Sequence, residues 1–197
     1  AGVGGGGPEL QLDLATMDSF TLWRLSDLCD AAQPAKRPRG RPRKPRAQRI
    51  GVPKPEICGK LGKVLQSIGI ARGMVVSGEV GGGGFLDEFS TVGLNHVAEF
   101  YQDRGFHEST TSPESFPIEK ASIQDLAGGD AIENADIIRK LLQGNLKGPK
   151  LDAVLLNTAA ALFVAGRANS MVSGWDLATD LLESGQAWDK LQNLCRS

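Results

Sequence analysis

The sequence predicts an α/β fold with a mixed, mostly parallel sheet flanked by helices, preceded by a disordered amino-terminal tail. Three observations carry this reading. Strand and helix patterns alternate from Arg49 to Val76, two further β-patterned runs follow up to Thr110, and the last third of the chain repeats its apolar residues at helical spacing. The chain's 197 residues suffice for one sizeable core and a tail.

Residues 1–47 form the predicted tail and 48–197 the α/β domain. Residues 1–9 are mostly glycine and leave little to bury, and scattered apolar residues from Leu10 to Leu28 allow one weak helix around Phe20 to Leu28. From Ala31 to Arg46 proline alternates with arginine and lysine, which removes backbone donors, adds like-charge repulsion and favours an extended chain. Lys36 to Arg49 holds eight basic and no acidic residues, so the other 14 basic residues face all 23 acidic ones and the formal net charge of −1 hides a balance of −9 over the rest of the chain, whose folded part is acidic. A tail opposite in sign to its domain suits nucleic acid or the domain's own surface.

Arg49 to Val52 reads as a short strand. Pro55 opens a helix on which Ile57, Leu61, Val64, Leu65 and Ile68 share one face, and Gly69 ends it. Met74 to Val76 is the next strand. A strand, helix, strand unit of this length implies a right-handed crossover between parallel strands, with loops at the strand ends open to ligands. Val92 to Tyr101 and Gly105 to Thr110 make two more strands around a turn at Asp103 to Gly105, and Pro113 and Pro117 mark a polar connection. Helices then run about Ala131 to Gln143, Lys150 to Val164, Met171 to Glu183 and Ala187 to Cys195. For the first of these, Asp130 offers the cap, Glu133 reaches back and Gly144 closes the end. The run AVLLNTAAALFVAG is apolar on nearly every face and broken only by Asn157 and Thr158, which predicts a helix buried on all sides.

Cys29, Cys58 and Cys195 are odd in number and far apart, so neither a zinc site nor a disulfide framework follows, and a reducing cytosol is the expected setting. No segment reaches the length of apolar sequence that crosses a bilayer, and the amino terminus lacks the layout of a secretion signal, so no membrane partner is expected.

Asp87 and Glu88 are adjacent carboxylates after the glycine-rich loop Gly81 to Gly84, just beyond a strand end, where they can hold a hard divalent ion together with water and phosphate oxygens. On composition alone the same pair reads as a solvated acidic loop. His96 and His107 lack metal-ligand spacing and read as ordinary strand residues. Trp23, Trp175 and Trp188 read as packing residues, and Asn157 as an amide satisfied inside the helical core. Lys147 and Arg167 flank the apolar helix, placed either to face phosphate or simply to be solvated.

From Gln48 to about Leu194, the ordered segments QRIGVPKPEI, ARGMVVSGE, LDEFS, SIQDLAGGD and KGPKLDAVLLNTAAALFVAG closely resemble the carboxyl-terminal part of anthranilate phosphoribosyltransferases. These are tryptophan-pathway enzymes of the nucleoside-phosphorylase-like glycosyltransferase class. The resemblance implies that Asp87 and Glu88 bind magnesium carried with phosphoribosyl diphosphate, while the amine of anthranilate attacks the ribose carbon as diphosphate leaves. Catalysis would then rest on positioning and electrostatics, with no catalytic nucleophile in this chain. Family members also carry, in their first half, a helical region that forms homodimers, a GTGGD-type diphosphate loop, an Asn and an Arg that contact anthranilate, and a Gly-Pro-Leu loop. None of these has a counterpart here, so the resemblance implies one wall of an active site, an incomplete or inactive chain without the dimerisation region, and an acceptor that a related base could replace.

The tract KRPRGRPRKP at Lys36 to Pro45 resembles an AT-hook with its core at Arg39, Gly40, Arg41 and Pro42. This implies an alternative function, AT-rich DNA binding by the tract tethered to a non-catalytic transferase-like domain. The plain reading of the same residues is a basic linker.

Overall fold

The computed structural model describes residues 47–102 and 105–196. The expectations for the glycine-rich start, for Phe20 to Leu28 and for the basic tract with Arg39, Gly40, Arg41 and Pro42 lie outside the described residues.

The described chain runs β1 (Ala47–Gly51), α1 (Pro55–Ser67), β2 (Arg72–Glu79), β3 (Phe85–Leu86), β4 (Asn95–Tyr101), β5 (Gly105–Thr111), a 3-10 turn (Pro113–Ser115), α2 (Ile123–Leu126), α3 (Ala131–Leu142), α4 (Pro149–Val164), α5 (Met171–Glu183) and α6 (Gln186–Cys195). The sheet order is β1-β2-β4-β5, with β3 pairing only the end of β2. β1 and β2 are parallel, joined through α1, in the register Ala47↔Arg72 to Gly51↔Val76. The β2–β3, β2–β4 and β4–β5 pairs are antiparallel. The sheet is therefore mixed, as expected, but its parallel part is confined to β1 and β2. The connections after β2 carry no crossover helix, so the chain doubles back instead of crossing over.

β2 is buried from Gly73 to Gly78, as a strand covered on both faces must be. On one face Met74, Val76 and Val97 pack with Leu156, Ala159 and Ala160 of α4 and with Trp175 of α5. On the other, Val75, Ala98 and Phe100 pack with Cys58 and Leu65 of α1. α4 buries Leu155, Leu156, Asn157, Ala159, Ala160, Ala161, Leu162 and Val164, which agrees with its all-round apolar sequence. No helix among the described residues is long and apolar enough to cross a membrane.

Two local expectations change. The Asp130 carboxylate caps α3 by accepting from the amides of Ile132 and Glu133, both at 2.9 Å. The side chain that reaches back, however, is that of Asn134 in place of Glu133: its amide accepts from the Gly129 N–H and donates to the Gly129 carbonyl, each at 2.9 Å. A primary amide matches both backbone groups of one residue, whereas a carboxylate can only accept. In α1 the five apolar residues do not turn inward together. Cys58, Gly59, Gly62 and Leu65 face the sheet, while Ile57, Val64 and Ile68 stay 36%, 53% and 68% exposed. The helix approaches the sheet along its smallest residues: a Cβ on Gly62 would lie 2.8 Å from the Phe106 ring. The rotation has a direct test in urea denaturation. Leu65→Ala is expected to cost about 2–4 kcal/mol, and Val64→Lys to stay within about 0.5 kcal/mol of the parent chain.

Candidate active site

Because β1 and β2 are parallel, their carboxyl ends, at Gly51 and Glu79, share one edge of the sheet. This is where ligands bind in open α/β sheets. The segment Leu86 to Ser90 crosses that edge in contact with both strand ends. A Cβ on Gly51 would overlap the Asp87 carbonyl oxygen, and one on Gly78 would lie 2.6 Å from both the Glu88 carbonyl oxygen and the Ser90 amide nitrogen. No side chain fits at either position, so the two glycines let the loop lie directly on the strand ends.

Two asparagine side chains then take the place of a neighbouring strand. Asn157 of α4 donates from Nδ2 to the Phe89 carbonyl at 3.0 Å and accepts the Phe89 N–H at Oδ1, also at 3.0 Å. Asn95 of β4 does the same for the next residue, donating to the Ser90 carbonyl at 3.0 Å and accepting the Ser90 N–H at 2.6 Å. Asn157 also donates to the Ala153 carbonyl at 3.0 Å. Its Oδ1 further accepts from Nη1 and Nη2 of Arg49, at 3.0 and 2.7 Å. The amide of Asn157 is thus satisfied in the core, as its sequence position suggests.

Arg49 is the unexpected member of the site. It points from β1 into the core, 8% exposed, with its guanidinium 5.9 Å from the centre of the Phe89 ring. Burial lowers its pKa to about 10, against the pull of Glu88 and then Asp87, so it stays charged at neutral pH. Glu88 shows the converse. Burial raises its carboxyl above the ordinary range, Arg49 draws it back, and the adjacent Asp87 pushes it up again. Asp87 is exposed and Glu88 half-buried.

The structure thus places both predicted acidic residues at the carboxyl edge of the sheet, on a rigid loop that opens to solvent at Asp87. Among the described residues no group of three or more His, Cys, Asp or Glu could enclose a metal ion. Two hard carboxylates alone fit a magnesium ion that completes its shell with water and phosphate oxygens, and do not fit a closed all-protein cage. His96 does more than a plain strand residue, because its Nε2 lies 2.8 Å from Oε1 of Glu79 at the same edge. Lys147 and Arg167 are both exposed and flank α4, outside its span of Pro149–Val164. Trp175 packs against Phe116 at 5.5 Å between ring centres. Burial pushes the Cys58 thiol up to about 11, so it is a neutral core group. A largely apolar cleft of about 340 Å3 lies on the α4 side, bounded by Phe89, Phe163 and Met171, with Glu99 but neither Asp87 nor Glu88 in its wall.

Arg49 and Asn95 are not legible in the sequence as site residues. The one signal for Arg49 is a charge set between otherwise β-patterned residues at Gln48 to Val52, and Asn95 carries none.

Residues 38–188 match the family model described as glycosyl transferase family, a/b domain. The chain is 40% identical over 147 residues to the anthranilate phosphoribosyltransferase of Petrotoga mobilis, covering 75% of this chain and 41% of that protein. It is 39% identical over 148 residues to that of Methanocorpusculum labreanum, covering 75% and 42%. Among solved structures, anthranilate phosphoribosyltransferase from Thermus thermophilus superposes with a TM-score of 0.62 at 36% identity, covering 73% of this chain and 40% of that one. The Saccharomyces cerevisiae enzyme in complex with PRPP and Mg shares the fold, with a TM-score of 0.65 at 24% identity over 74% and 41% of the two chains. The chain therefore spans about 41% of the length of the curated relatives it matches.

Two stability measurements follow from the site. Asn157→Leu removes the side-chain acceptor of the buried Arg49 and both partners of the Phe89 backbone, and is expected to cost about 3–5 kcal/mol in urea denaturation. Glu88→Gln is expected to raise the thermal midpoint at neutral pH. The folded chain holds the Glu88 proton more tightly than the unfolded chain does, so this group's contribution to stability is present at low pH and lost as pH rises through the raised folded value. The gain from Glu88→Gln should accordingly shrink as pH falls through that value.

Proposed function

Because this chain belongs to the glycosyl transferase family through its a/b domain, we propose that it serves the magnesium-assisted transfer of phosphoribosyl from phosphoribosyl diphosphate to anthranilate, a step of tryptophan biosynthesis. The observation that carries the reading is the position of Asp87 and Glu88 on a glycine-seated loop over the carboxyl ends of β1 and β2. The relatives' names supply the substrates, and the yeast enzyme holds PRPP and Mg together in its complex.

In this reading Asp87 and Glu88 hold the magnesium ion, which when bound offsets the charge that develops on the diphosphate. The bond from the ribose carbon to the diphosphate oxygen breaks, a bond to the anthranilate nitrogen forms, and the amine gives up a proton. This chain's part is to fix the carboxylates. Asn157 and Asn95 hold the peptides of Phe89 and Ser90, and Gly51 and Gly78 admit the loop, so the acids present a preorganised pair. Cys58, neutral and buried, is no nucleophile. The groups facing this wall belong to the part of the family fold outside the matched segment, since the match spans 41% of the relative's length.

The test is formation of phosphoribosyl-anthranilate, followed by loss of anthranilate fluorescence with Mg2+, by the chain alone and after addition of the leading portion of the Petrotoga mobilis relative. Product is expected in the reconstituted mixture, and Asp87→Asn with Glu88→Gln should lower the rate by about 100-fold or more. No product in either mixture, or an unchanged rate in the double variant, would refute the proposal.

A further inference from the structure

Arg49 places a full positive charge on the core side of the acidic pair, although a neutral donor would satisfy Asn157 equally well. We propose that Arg49 is a charge-balancing residue that biases the Asp87 and Glu88 pair towards a divalent ion already bound to diphosphate and against the free ion. This rests on the reading of that pair as the metal site.

Three observations support it. Arg49 cannot swing away, because its two terminal nitrogens are held on the side chain of Asn157 at 3.0 and 2.7 Å, and one of them also lies 3.3 Å from the Asn157 carbonyl. At 8% exposure it is reached little by water and dissolved ions, so its field is weakly screened. Its lowered pKa of about 10 leaves it charged at neutral pH, and it is coupled electrostatically to both acids. A free divalent ion adds two positive charges beside Arg49 and meets its repulsion. The same ion on diphosphate brings a net negative charge, so Arg49 attracts the complex as a whole. The guanidinium thus helps the site discriminate by the charge of what the metal carries.

The experiment measures Mn2+ binding to the full 197-residue chain by electron paramagnetic resonance at neutral pH, with Mn2+ alone and with equimolar inorganic diphosphate. The quantity read is the ratio of the two affinities, diphosphate-borne over free, in the parent chain and in each variant. Arg49→Gln keeps a donor for Asn157 but loses the charge; it should bind free Mn2+ about tenfold more tightly than the parent and lower that ratio by about tenfold or more. Arg49→Lys should keep the parent ratio. A merely structural role would weaken both forms together and leave their ratio unchanged. The inference is overturned if the ratio survives Arg49→Gln. Glu88→Gln separates the two failures: binding that ignores Glu88 sinks the metal-site reading and this inference with it, whereas Glu88-dependent binding with an unmoved ratio sinks the inference alone.

Discussion

The side-chain amide of Asn157 is the joint on which the rest of the site hangs. A loop laid across strand ends has no neighbouring strand to take its peptide groups, and buried peptide groups without partners are costly. Asn157 supplies one donor and one acceptor to Phe89 in the geometry of a strand pair, and Asn95 supplies the same to Ser90. The loop is therefore fixed from two sides, by α4 and by β4. A third contact at Oδ1, from Arg49, brings β1 into the same cluster, so one amide joins the first strand, the acidic loop and the central helix.

That joint explains why α4 has to be apolar nearly all round. To bring Asn157 within reach of a loop at the sheet edge, the helix lies between the sheet and α5, where Leu156, Ala159 and Ala160 are almost fully enclosed. A polar residue survives there only if every hydrogen-bonding group finds a partner. Asn157 meets that condition with both Nδ2 donors used and three hydrogens on Oδ1. The packing of the core and the position of the acids are thus one arrangement.

Much of this is legible in the residues alone. The position of α3 follows from its cap and breaker, since Asp130 and Gly144 mark local boundaries that tertiary packing does not move. The loop position of Asp87 and Glu88 follows from the parallel pair ahead of it. Other features are hidden for physical reasons. The facing of α1 depends on which residues allow close approach, and Gly59 and Gly62 carry no hydrophobic signal although they define the buried side. The proportion of parallel strands depends on the connections after β2, which periodicity does not read. Arg49 reads in sequence as the end of the basic tract upstream, because charge alone does not show that its side chain turns inward. Asn134 outcompetes Glu133 at the start of α3 for a stereochemical reason visible only once Gly129 is placed.

The two buried charges also bear on one another. Burying Arg49 and half-burying Glu88 each opposes folding, since the lowered pKa of the one and the raised pKa of the other both begin with loss of water. Their mutual attraction offsets part of this penalty and leaves the rest. An apolar residue at position 49 would relieve it on the arginine side, and a neutral amide at position 88 on the other. That both charges persist at one end of the sheet, beside the exposed Asp87, fits a site shaped by what it binds more than by the stability of the empty chain. The rigid clamp of Asn157 and Asn95 is what makes such an arrangement tolerable, because it holds the loop in place with neutral hydrogen bonds and leaves the carboxylates to face a ligand.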